Sequence, residues 1–223
     1  MLEPMPKTYD YDPPREPWLD IIHEDEDIVV FNKPSGLLSV PGKDPALFDS
    51  LQSRALERFP GAGTIHRLDK DTSGIIVMAK HKAAHGHIGK QFEYRQTTKL
   101  YIARVWGEIA EEEGLVDLPL ATDWENKPRQ EVNYERGRPA QSRWRVIGRE
   151  NGVTRVALTP ITGRTHQLRA HMKEIGHPIL GDQFYATGQA LAAADRLQLH
   201  AAELGFRHPR GGAPVVFRSD PPF

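Results

Sequence analysis

Apolar positions fall along this chain in short runs whose spacing changes from segment to segment. The runs at Ile21–Ile22 and Ile28–Phe31, on either side of the acidic stretch His23–Asp27, predict two short strands joined by a turn. Lys33-Pro34-Ser35-Gly36 ends the second, because Pro and Gly break a ladder. Leu51, Ala55, Leu56 and Phe59 recur at helical spacing and predict an amphipathic helix over 48–59. A loop carrying HRLDKDTSG follows. The unbroken apolar run GIIVMAK (74–80) predicts a buried strand, residues 82–95 a helix with a basic face, and KLYIARVWG (99–107) a strand rich in β-branched and aromatic side chains. Further strands are expected at about 130–135, 140–148, 153–159, 198–206 and 214–218, and helices at about 165–175 and 188–196. Adjacent strands without an intervening helix favour an α+β fold, with a mixed, mainly antiparallel sheet and helices at its sides. The Pro- and Asp-rich opening predicts an extended arm over residues 1–20, leaving 21–223 as one domain. No internal repeat or low-complexity tract interrupts it.

Composition narrows the chemistry. With 223 residues, 39% of them apolar, the chain can fill a core of its own. Zero cysteines exclude a disulfide scaffold, thiolate catalysis and zinc held on sulfur, which fits a reducing compartment. No stretch approaches the roughly 20 apolar residues of a membrane span and the N-terminus has no signal-like core, so a cytoplasmic protein is expected. GxGxxG and GxxxxGK[ST] are both absent, and no nucleotide cofactor is expected. Of ten histidines, His166 and His171 stand five apart, off the spacing of a helical metal pair, so no metal is expected either.

The net charge of −1 conceals an uneven distribution. Residues 1–27 hold nine acids against two bases, and 105–122 hold five acids and no base. Residues 54–104 hold ten basic side chains against four acidic, and residues 123–173 eleven against five, a surplus of six positive charges in each block. Folded onto one face, those blocks would bind a polyanion. Charge alone leaves a scatter of solvated cations equally open.

The most informative segment is His66-Arg67-Leu68-Asp69-Lys70-Asp71-Thr72-Ser73-Gly74. An isolated Asp before Thr, Ser and Gly is ordinarily an Asx turn. Here it is accompanied, in order, by NKPSGLLSVPG (32–42), TTKLYIARVWG (97–107), PITGRTHQLRAHM (160–172), GHPILGD (176–182) and LQLHAAEL (197–204). Together these strings resemble the RluA-type pseudouridine synthases, over most of the chain from about Ile28 onward. Length and motif detail are most similar to members that modify both large-subunit ribosomal RNA and a tRNA anticodon stem-loop. The N-terminal RNA-binding S4 module of several relatives is not expected.

The resemblance implies the pseudouridine synthase fold, a mixed sheet bent around a central cleft, and RNA as substrate without a cofactor or an obligate protein partner. It implies that Asp69 is the indispensable catalytic aspartate. The chemistry agrees. Pseudouridine formation breaks the bond from ribose to a uracil nitrogen, turns the base and rejoins it through a ring carbon. A carboxylate is ionised at neutral pH and is an established nucleophile or stabiliser at an anomeric carbon. Attack on the sugar, attack on the ring and abstraction of a ribose proton all remain open as first steps. Tyr101 matches the tyrosine of the family's K-x-Y-x-A strand; it could stack on uracil and relay the ring proton, or simply be a core tyrosine. Arg169 matches the arginine that pairs with the catalytic aspartate in the family, and it lies beside the apolar stripe of Leu168, Met172 and Ile175. Arg67 resembles the residue that fills the gap left by the flipped base, and His66 is expected to orient the loop.

Further RNA contacts are expected from Arg95, Lys99, Lys127, Arg129, Arg136, Arg138 and Arg164, with loops 36–48 and 121–139 gripping the backbone. Uracil's edge could be read near 198–204 or by the PITG segment. A monomer is expected. Two other classes compete. A non-catalytic RNA-binding or ribosome-assembly protein would not need Asp69, Tyr101 and Arg169 together. A retaining glycosidase would need a second carboxylate, for which Asp71 is the sole acid nearby in the motif.

Overall fold

A computed structural model describes residues 11–223; the opening half of the expected arm, residues 1–10, lies outside the described residues. In chain order the elements are β1 (Ile21–Glu24), β2 (Ile28–Lys33), α1 (Leu51–Arg58), β3 (Gly63–Thr64), β4 (Ser73–Ala79), α2 (Lys82–Glu93), β5 (Thr98–Trp106), β6 (Glu113–Asp117), β7 (Leu120–Thr122) and β8 (Gln130–Val132). They continue with β9 (Gln141–Glu150), β10 (Val153–Pro160), α3 (Gln167–Glu174), α4 (Gly188–Ala192), β11 (Leu199–Arg207) and β12 (Pro214–Arg218). The described chain forms two compact units, one taking it up to Lys99 and again from His200 to Pro222, the other built on Leu100–Leu199.

In the first unit β2 lies antiparallel to both β1 and β4, and β3 adds to β4 by the pairs Gly63–Ala79 and Thr64–Met78. β11 joins β4 in parallel at His200–Ser73 and Ala201–Gly74, and β12 closes antiparallel on β11. One parallel contact among antiparallel ones makes the sheet mixed. Every residue of β4 is buried, as expected for a strand covered on both faces. Ile75 and Val77 pack with Ile28, Val30, Leu204, Phe206 and, from α2, Ile88. Helix α1 begins at Ser50, whose hydroxyl accepts from the Ser53 N–H while the Ser53 hydroxyl accepts from the Ser50 N–H, a capping box worth about 1 kcal/mol.

In the second unit β10 is flanked by β5 and β9, and β6 pairs with β9, all antiparallel. β7 and β8 form a separate hairpin. Ala103, Val105, Val156 and Leu158 face Leu168 and Met172 of α3, so the apolar stripe expected along 165–175 meets the core, while burial extends around the helix to Gln167, Arg169 and His171. The fold class is α+β, with helices beside a mixed sheet. Three details depart from the sequence reading. β6 and β7 arise within an acid-rich stretch for which no strand was expected. The strand expected over 130–135 is three residues long. The helix expected over 188–196 stops at Ala192, because the chain must turn back: the Gly181 N–H bonds the Ala190 carbonyl and Gly181 lies directly against the Arg196 carbonyl.

Candidate active site

In the first unit, β3 pairs with the end of β4, so residues 65–72 must travel back to where β4 begins. A segment so placed needs partners for its backbone. The side chain of His66 supplies one: Nε2 accepts the Val77 N–H at 3.1 Å, just past the last β3–β4 pair, and its ring stacks on Phe92 at 4.5 Å. Burial, and then the charge of Lys99, push the imidazole down to about 3, so it is neutral. The accepting Nε2 assigns its proton to Nδ1.

The four carbonyls from Leu68 to Asp71 are taken up mostly by the segment 33–39. Ser39 donates to the Leu68 carbonyl (2.7 Å) and accepts the Leu68 N–H (3.0 Å). The Asp69 carbonyl accepts from Thr72 N–H (3.2 Å), the Lys70 carbonyl from Gly36 N–H (3.0 Å) and Lys33 Nζ (2.9 Å), and the Asp71 carbonyl from Ser35 Oγ (2.7 Å). Lys33 is buried and also donates to the carbonyls of Pro34 and Leu37 at 2.9 and 2.7 Å. The Asp69 side chain, half-buried, thus stands on a backbone fixed on both sides.

The far end of the loop is fixed as tightly. Gly74 has φ +112°, and a Cβ there would collide with the Ala201 carbonyl oxygen and lie 2.6 Å from the Ala201 nitrogen. Next to it the Ser73 hydroxyl bonds His200 Nδ1 at 2.9 Å, and His200 Nε2 reaches the Ser219 carbonyl at 3.2 Å. A donor is needed at Nε2, so Nδ1 accepts from serine.

In the second unit Tyr101 lies half-buried on β5, paired with Leu158 and packed against the core. Arg169 is buried on α3. Its Nε and Nη2 donate to the two carboxylate oxygens of Asp182 at 2.8 and 2.7 Å, and the guanidinium lies over Phe184 and Tyr185. Asp182 Oδ1 also accepts from the N–H groups of Phe184 and Tyr185. Asp182 therefore balances and aims a charge that would otherwise be costly to bury. His166, before α3, has φ 51°, an uncommon conformation for a side chain of its size. It stacks on Phe184, and its Nδ1 lies 3.0 Å from the Tyr185 hydroxyl.

These motifs have a close counterpart among known proteins: residues 27–174 match the profile of the RNA pseudouridylate synthase family. The chain belongs to this family. It is 54% identical over 209 residues to the dual-specificity RNA pseudouridine synthase RluA of Salmonella typhi, covering 93% of this chain and 95% of that one. To the protein of the same name from Escherichia coli it is 51% identical over 214 residues, 96% and 98% of the two chains. A solved structure titled human RNA pseudouridylate synthase domain containing 1 superposes with a TM-score of 0.77 at 29% identity, covering 98% of this chain and 87% of that one. As an RluA-type pseudouridine synthase, the protein is an isomerase acting on uridine in RNA.

The cations expected to meet RNA in this pseudouridine synthase are diversely placed. Arg67 and Arg95 are exposed, Arg95 with φ 56° just beyond α2. Lys99 is half-buried with Nζ 4.6 Å from the Phe92 ring centre, so His66 and Lys99 share one aromatic, and desolvation lowers the lysine's pKa. Lys127, Arg136 and Arg138 are exposed; Arg136 pairs with Glu131 at 2.6 Å. Arg129 is only 5% exposed, and Arg164 donates from Nε to the Pro139 carbonyl. Sequence reasoning did not single out Lys33, Ser39 or Asp182, although all three lie in quoted motifs; a polar residue inside a motif but outside its catalytic string was the available signal.

Among the described residues, one group could offer three metal ligands within 4.8 Å of one another: Asp25, Asp27 and His208. Its atoms are committed to one another and to neighbours. Asp25 Oδ2 meets His23 and His208 at 2.8 and 3.0 Å, and Asp27 meets His81 and Arg210 at 2.9 Å each. Burial opposes charge on Asp25, yet hydrogen bonds from His23, His208 and two backbone N–H groups hold its pKa well below the usual range.

Proposed function

We propose that this synthase converts selected uridines in large-subunit ribosomal RNA and in a tRNA anticodon stem-loop, with Asp69 as its nucleophile. The printed name of the RluA relatives, dual-specificity, supports more than one RNA substrate. The observation that carries the catalytic assignment is the backbone clamp from Leu68 to Asp71: four consecutive carbonyls are held by Ser39, Thr72, Gly36, Lys33 and Ser35. Such rigidity serves a group that must meet a reacting carbon at a fixed distance.

In this reading Arg67 enters the gap left by the everted nucleotide, and His66 positions the loop rather than moving a proton. Asp69 supplies the anion that lets the bond between ribose and uracil break; the base turns and rejoins through carbon. Tyr101 stacks on the detached base and relays the ring proton that is lost. Arg169, aimed by Asp182, is the cation of the reacting centre. Arg95, Lys99, Lys127, Arg136, Arg138 and Arg164 meet the RNA, whereas Arg129, expected from the sequence to do so, is too buried to reach it. No cofactor or metal takes part. Residues 21–223 form the catalytic domain and 1–20 its arm, and the protein acts as a cytoplasmic monomer without an obligate protein partner.

The test is a map of pseudouridine in the ribosomal and transfer RNA of cells lacking the protein, complemented with the parent or with Asp69→Asn. The expected result is a small set of missing sites, in large-subunit ribosomal RNA and a tRNA anticodon loop, restored by the parent alone. Restoration at the parental rate by Asp69→Asn would refute the assignment.

A further inference from the structure

The hairpin β7–β8 and its flanks carry two rings that neither the core nor the catalytic reading employs. Trp124 is 64% exposed and Tyr134 is 77% exposed. Each follows a residue whose side chain closes a turn. Asp123 Oδ1 accepts from the N–H groups of Glu125 (3.2 Å) and Asn126 (3.1 Å), and its Oδ2 from Asn126 Nδ2 (2.9 Å). Asn133 Oδ1 accepts from the N–H groups of Glu135 (3.2 Å) and Arg136 (3.0 Å).

Both turns are anchored further: Asp123 N–H to Arg129 carbonyl, Asn133 N–H to Pro119 carbonyl and Gly137 N–H to Asn133 carbonyl. A Cβ on Gly137 would collide with the Asn133 carbonyl oxygen, so the second turn admits no side chain there. The rings therefore project from pinned backbone, and a partner stacking on them orders little that is not already ordered.

Cations stand beside both rings, although four acids balance the four bases of residues 123–138 and Arg136 is paired with Glu131. Lys127 Nζ lies 3.6 Å from the Trp124 ring centre, and Arg136 and Arg138 are exposed beyond Tyr134. Flat rings beside cations match an unpaired nucleotide, which offers a π-face and a phosphate together; a paired duplex hides its base faces. The ladder fixes how the two rings can be used. Trp124 lies two residues past Thr122, at the Thr122–Gln130 end, and Tyr134 two residues past Val132, at the Leu120–Val132 end. Placed beyond opposite ends of the ladder, the two rings point to one base each rather than to a shared one.

We infer that Trp124 and Tyr134 are stacking platforms for two unpaired bases of the RNA loop, separate from the uridine that is isomerised, and that they make the enzyme prefer a loop to a duplex. This rests on the reading of the protein as an RNA-modifying enzyme and names what part of the RNA it holds.

The experiment compares the full-length parent with Trp124→Ala, Tyr134→Ala, Trp124→Phe and Tyr134→Phe at one salt concentration. Two RNAs are used: a tRNA anticodon stem-loop, and the same stem closed as a continuous duplex. Each alanine variant is expected to bind the stem-loop roughly ten- to a hundredfold more weakly and the duplex like the parent. KM should rise with kcat at saturating RNA unchanged, and the phenylalanine variants should keep most of the affinity. Parental stem-loop affinity in both alanine variants would overturn the inference, as would equal losses on stem-loop and duplex. The functional reading fails separately, if the parent itself forms no pseudouridine.

Discussion

Replacing Ser39 by alanine removes one oxygen, and the structure gives that oxygen two tasks on a single residue. It donates to the Leu68 carbonyl at 2.7 Å and accepts the Leu68 N–H at 3.0 Å, with Ser39 at 4% and Leu68 at 7% exposure. Water cannot take over without opening the site. Leaving one buried donor or acceptor unmade costs about 1–3 kcal/mol, so the pair is worth about 2–4 kcal/mol once some relaxation is allowed. That is a large part of the stability of an ordinary domain but less than the whole, and the variant should fold. Urea titration reads the stability change. The second reading is kinetic: Leu68 precedes Asp69, so a loosened backbone should lower kcat at saturating RNA while KM stays near the parental value. A stability loss below about 0.5 kcal/mol with parental kcat would show that the clamp neither supports the fold nor aims the carboxylate.

Three more outcomes are expected. Gly74→Ala should cost about 3 kcal/mol or more, since the colliding atoms are backbone and φ is +112°, and thermal unfolding will read it. Asp182→Asn removes the carboxylate that accepts two hydrogen bonds from the buried Arg169 guanidinium and should destabilise by about 3–5 kcal/mol in urea while lowering kcat; a neutral effect would remove Asp182 from the account. His66 is held neutral down to about pH 3 in the folded chain, against an ordinary value of 6.5 in the unfolded one, so between those limits the unfolded state carries the extra proton. Stability should thus be full above pH 6.5 and fall on acidification, by up to about 1.4 kcal/mol per pH unit from this group, and His66→Gln should lose that component of the urea-midpoint profile.

Elements whose pattern is local were legible from sequence. GIIVMAK declared a strand buried on both faces, and Leu51 and Ala55 declared the inner face of α1. β6 was not, because Val116 is its single buried residue and its place comes from a partner far along the chain, where Leu115 faces Arg143 and Glu113 faces Arg145. The run Gln189–Ala194 has high helical propensity, and the closure of Gly181 on Ala190 and Arg196 overrides it beyond Ala192. The site divides similarly. HRLDKDTSG pointed to Asp69, but the hydroxyl that fixes its neighbour sits 29 residues earlier, and Arg169's partner 13 residues later. A polar side chain does not announce in sequence which backbone group it will satisfy.

The lock on Ser73 has a consequence for the order in which the protein is made. His200, 127 residues downstream, bonds the Ser73 hydroxyl, and Ser219 in turn bonds His200. Translation therefore delivers the Asp69 segment well before its fastener, so a nascent chain still short of β11 carries Asp69 on an unlatched loop. Closing so long a span is entropically slow, and competence for chemistry should arise only once β11 and Ser219 have left the ribosome.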